Sequence, residues 1–121
     1  MKNEIINKLR AFDFHDGAIV DVRVDGASAV MLFKNWQEDI FKITFRGVVG
    51  FQAFEFPSDP EIIIRTASPF IDKCIESIEA SKGTPAGYSN YEFVQVDCGE
   101  EGHPISIVFF HDIDIVLEKE L

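Results

Sequence analysis

Ala18-Ile19-Val20-Asp21-Val22-Arg23-Val24-Asp25-Gly26-Ala27-Ser28-Ala29-Val30-Met31-Leu32-Phe33 sets the architecture of this chain. From Ala18 the apolar period is two, with Val20, Val22 and Val24 on one side and Asp21, Arg23 and Asp25 on the other, the pattern of a half-buried strand. Asp25-Gly26 is a tight-turn signal, and Ala29 to Phe33 returns as the partner strand. A hairpin this tight commits the sheet to antiparallel pairing, because a parallel crossover needs a far longer connection.

The same grammar extends in both directions. Upstream, Asn3 caps a short helix whose Ile5, Ile6, Leu9 and Phe12 form an apolar stripe. Phe14-His15-Asp16-Gly17 breaks it, Gly17 supplying backbone freedom. Downstream, Lys34 to Asp39 is a polar connection holding the lone tryptophan, Trp36. Phe41, Ile43 and Phe45 then alternate with Lys42, Thr44 and Arg46, and Gly47 and Gly50 predict bulges or a bend before Phe51-Gln52-Ala53-Phe54-Glu55-Phe56. Ile62-Ile63-Ile64 reads as a short strand or the first turn of a helix. Ser68 as N-cap and Pro69 at the first helical position open the main helix, about 69–82. Its apolar face is Ile71, Cys74, Ile75 and Ile78, and Gly83 ends it. Strands follow at Tyr91 to Cys98 and from Pro104 to Leu117, the last bent at His111-Asp112. The expected fold is α+β over residues 1–121 as one domain. It has an antiparallel sheet of five to seven strands, one main helix packed on one face and a short N-terminal helix.

Composition narrows the function classes. Apolar residues are 46% of the chain and phenylalanine occurs 12 times, so the core or an interface is aromatic-rich. The formal net charge is −10, which disfavours nucleic acid and anionic membranes and suits a basic protein partner, while also serving solubility. Charges are scattered through the first ten residues, and the uncharged runs are strand-sized, so neither a signal peptide nor a membrane span is expected. Cys74 and Cys98 are too few for a disulfide scaffold and read as buried thiols in a cytoplasmic protein.

Chemistry-bearing groups recur in one pattern. Phe14-His15-Asp16-Gly17-Ala18-Ile19-Val20 returns as Phe110-His111-Asp112-Ile113-Asp114-Ile115-Val116, with five identities in seven. His15, Asp16, His111 and Asp112, with His103, offer imidazole and carboxylate ligands for zinc or iron. Adjacent His and Asp in a strand point to opposite faces, however, and local hydrogen bonding is the better account of each pair. No Gly-x-Ser-x-Gly setting surrounds any serine, and Gly47-Val48-Val49-Gly50 lacks the lysine of a phosphate loop. No catalytic residue and no cofactor are assigned.

Interaction signals carry more. Phe51 and Phe54 fall on opposite faces of their strand, so either a bulge at Gly50 realigns a ring or a partner or second copy covers it. Trp36 in a polar loop is either an interface anchor or a lid on the core's edge.

The Phe14-His15-Asp16-Gly17 opening, the alternating strand and hairpin, and Ile43-Thr44-Phe45-Arg46-Gly47-Val48 together resemble a class of small bacterial proteins of unassigned function. Some proteins of similar appearance are immunity proteins of polymorphic toxin systems. The likeness spans the first half of the chain and transfers no functional residue. It implies a small, acidic, cytoplasmic protein that binds another protein, such as a basic toxin nuclease. Two function classes follow: a non-enzymatic acidic protein-binding module contacting its partner or its own copy through Trp36, Phe51 and Phe54, and a small metal-binding domain or metal-dependent enzyme built on the two His-Asp pairs.

Overall fold

The computed structural model describes residues 2–12, 14, 17–53, 62–82, 93–98 and 105–118. In chain order these form α1 (Lys2–Ala11), β1 (Ala18–Asp25), β2 (Ser28–Lys34), β3 (Ile40–Gln52), β4 (Ile62–Arg65), α2 (Pro69–Lys82), β5 (Val94–Cys98) and β6 (Ile105–Glu118). Among the described residues the strands make one six-stranded sheet, ordered β1-β2-β3-β6-β5-β4, in which every pairing is antiparallel.

Local chemistry accounts for the elements. Gly26 has φ +61° at the first central position of the β1–β2 turn, where a type II′ turn places glycine. Gly47, at φ +72°, lies within the first of two register shifts in the β3–β6 ladder, at Arg46/Val48 and Val48/Gly50, so the expected irregularity is real and falls in the longest strand pair. Ser68 Oγ accepts the N–H of Ile71 at 3.0 Å, capping α2.

Each face of the sheet is packed by its own helix, α2 over only part of its face. One face carries the main core: Ala29, Met31, Phe33, Ile43, Phe45, Val94, Val96, Ile105, Ile107 and Phe109, sealed by Ile5 and Leu9 of α1. Phe45 and Phe109 meet edge-on, with ring centroids 5.1 Å apart. On the opposite face, Ile71 and Cys74 of α2 pack with Val108 and Phe93, and Ile75 and Ile78 are partly buried beside them.

Three expectations change. The 69–82 helix is not the sheet's only cover, because α1 drives two nearly fully buried side chains into the larger cluster. In β1 a bulge between Ile19 and Asp21 leaves Ile19 buried and Val20 exposed, while Val24, opposite Ala29 at the hairpin end, is also exposed. Phe51 belongs to the long β3 rather than to a separate strand and is exposed, whereas Phe54 lies outside the described residues.

Candidate interaction surface

Trp36 occupies the turn between β2 and β3 and is 58% exposed, so its indole does not fold back over the core's edge. The turn is pinned by its own hydrogen bonds. Asn35 Oδ1 accepts the N–H groups of Gln37 at 3.0 Å and Asp39 at 2.8 Å. The Asn35 N–H donates to Asp39 O at 2.9 Å, and the Glu38 N–H donates to Asn35 O at 3.0 Å. Glu38 takes φ +68°, and its carboxylate stands 3.5 Å from Lys34 Nζ.

The open face of the sheet adjoins this turn. Pairing sets Asp21, Leu32, Lys42 and Val116 in one row and Arg23, Val30, Thr44 and Asp114 in the next. Among the described residues no helix packs there, since α2 sits farther along, on Val49, Val108 and Phe110. The result is a hollow of about 520 Å³ with an aliphatic floor of Val30 and Leu32 and a rim that includes Asp21, Asp25, Lys42 and Glu118. On the other face a cleft of about 460 Å³ opens between α1 and the strands, lined by Ala11, Phe12, Phe41, Ile113 and Ile115 with Lys8 at its mouth.

Lys8 is already engaged. Its Nζ donates to Asp112 Oδ1 at 3.2 Å and to the Ile113 carbonyl at 3.1 Å. Asp112 Oδ1 also accepts the N–H of Ile113 at 2.7 Å, and this bond, ahead of Lys8, holds the carboxyl below its ordinary range. The neighbouring Asp114 is bound by Arg46 across the β3–β6 ladder. Of the other candidate ligands, His15, Asp16, His103 and the side chain of His111 lie outside the described residues. Among the described residues no three His, Cys, Asp or Glu side chains gather in one place.

Sequence reasoning did not single out one polar cluster. Val94-Gln95-Val96-Asp97-Cys98 alternates like a strand with one wet face, yet all five residues are buried. Arg65 Nε donates to Asp97 Oδ2 at 2.8 Å, and Gln95 Nε2 donates to Asp97 Oδ1 at 2.7 Å. The Ser68 hydroxyl donates to Gln95 Oε1 while capping α2. This relay ties the start of α2 to β5. Its members are occupied with one another, and no buried side-chain nitrogen or oxygen among the described residues lacks a partner. Cys98 lies on the other face of β5, fully buried, its thiol pushed up to about 12 by burial and secondarily by the charge of Asp97, so it is no nucleophile.

The chain matches no protein-family model, no curated protein and no solved structure. No helix among the described residues is long and apolar enough to cross a membrane.

Proposed function

We propose that this protein is a non-enzymatic, acidic protein-binding module of the cytoplasm, of the immunity or antitoxin kind, whose partner is a basic protein. The observation that carries the proposal is the exposed indole of Trp36 on a turn pinned by Asn35. Tryptophan is among the residues that dominate binding energy when a partner desolvates them. The net charge of −10 would speed encounter with a cationic partner, and the exposed Glu38 and Asp39 follow Trp36 in the same turn.

The test is binding, by calorimetry, to a small basic nuclease domain of a polymorphic toxin as the probe. Trp36→Ala should weaken the complex by about 2 kcal/mol or more, roughly thirtyfold, while leaving the melting temperature in place. Raising the salt should slow association with little effect on dissociation. A Trp36→Ala protein that binds as tightly as the parent would remove the indole from the interface.

A further inference from the structure

We infer that β1 is a self-complementary edge through which two copies of this chain pair antiparallel about a two-fold axis at Val22. Four observations on this strand point the same way. β1 ends the sheet among the described residues, so one side of its backbone carries N–H and C=O groups without a strand neighbour. Val20 and Val24 are 44% and 46% exposed, two of the larger apolar side chains left uncovered. The bulge lies between Ile19 and Asp21, so Asp21 to Asp25 runs in unbroken register with β2 and presents a regular outer edge. Arg23 is 84% exposed, and its Nε reaches Asp21 Oδ2 at 2.8 Å along the same strand.

The order of these residues supplies the complementarity. With Val22 opposite Val22 of the partner subunit, Asp21 stands across from Arg23 of the partner subunit, all within the regular Asp21–Asp25 run. Directly opposed side chains are the unit of sheet stabilisation, and here they are charge with countercharge and valine with valine. The register is selective as well. A slip of two residues one way sets Asp21 against its own copy, and the other way sets Arg23 against its own, so both neighbouring registers oppose like charges. Pairing would join two six-stranded sheets into one continuous sheet and leave each copy's β4 at an outer edge. The interface is isologous and closes after two copies, so it does not propagate into a fibre. It uses a different element from the Trp36 turn, and the dimer stands or falls independently of the partner proposed above.

Sedimentation velocity at micromolar concentration tests this with charge reversal. The parent should run at about twice the 13.7 kDa chain mass. Arg23→Asp should sediment at the chain mass with unchanged circular dichroism, because carboxylates then face one another across the two-fold axis. The double variant Asp21→Arg, Arg23→Asp restores the complementary order and should return to the dimer mass. A monomeric parent, an Arg23→Asp protein that stays dimeric, or a folded double variant that stays monomeric would each overturn the inference.

Discussion

Gly17 and Phe33 compete for one space. A methyl group on Gly17 would stand 2.1 Å from Cζ of Phe33 and 2.8 Å from the Lys34 carbonyl oxygen. Phe33 is fully buried, with the rings of Phe12 and Phe14 edge-on to it at centroid distances of 5.8 and 5.1 Å. The approach of chain to ring where β1 begins therefore requires glycine, although its φ is not in the left-handed region.

Gly17→Ala should accordingly destabilise the fold by about 2 to 3 kcal/mol, through overpacking against a ring that has nowhere to go. Adding Phe33→Leu should recover part of the loss, because the smaller side chain vacates the contested space. Urea denaturation of the two single variants and the double variant measures the coupling. Strict additivity would show that Phe33 is not what excludes the methyl.

These two residues also mark the limit of what a chain read alone discloses. Gly17 was readable as a break, but its reason is a non-local contact with β2. By contrast, Asp25-Gly26, Gly47 and Ser68-Pro69 act through their own backbone geometry, and each did as its residue type dictates. The placement of β6 between β3 and β5 follows from long-range pairing that no local signal encodes. The buried relay of Asp97 is hidden for a related reason: polar residues at alternate positions look solvent-facing until Arg65 and Ser68, distant in sequence, are known to reach them. Trp36 is legible as an aromatic in a polar turn, but whether its indole is exposed or folded on the core depends on the tertiary structure, which leaves it 58% exposed.

Cys98 should report global unfolding. The thiol is fully buried and pushed up to about 12, against 9.0 for a free thiol, so the folded chain holds its proton where the unfolded chain releases it. Proton binding by the folded state alone means that stability falls as the pH rises from about 9 towards 12. At pH 8 a thiol alkylating reagent should leave Cys98 unmodified in the native protein and react once urea unfolds it, as peptide mapping will show. Modification at the rate of a free thiol in native buffer would contradict this burial.

Asp112 works in the opposite sense. Its carboxyl is held below the ordinary value by the Ile113 N–H first and by Lys8 after it, so the folded state favours the ionised form. The stabilisation is present above the unfolded carboxyl's range and is lost as the pH falls through the lower native one. Because the pair with Lys8 is about half exposed, Lys8→Met should cost less than about 1 kcal/mol at neutral pH. Asp112→Asn should flatten the acid limb of the stability profile, measured by urea midpoints from pH 7 down to pH 3. An unchanged acid limb would show that Asp112 titrates alike in both states.

The relay at the start of α2 should be the most sensitive polar feature among the described residues. Asp97 is 8% exposed at its side chain and is held by Arg65 and Gln95, while Arg65 itself is half exposed. Removing the guanidinium leaves a carboxylate in a site with little access to water, which costs more than the exposed ion pair would suggest. Arg65→Ala should therefore destabilise by about 2 kcal/mol, discounted from the loss of a fully buried pair because water can partly replace Arg65. Asp97→Ala should cost a comparable amount by leaving the Gln95 amide without its acceptor. The double variant should lose about 1 kcal/mol or more less than the sum of the two, since the second change removes the charge that the first exposed. Far-UV melting of the four proteins gives the cycle. If the two losses simply add, Arg65 and Asp97 act separately, and the brace between β4 and β5 at the start of α2 is not a coupled unit.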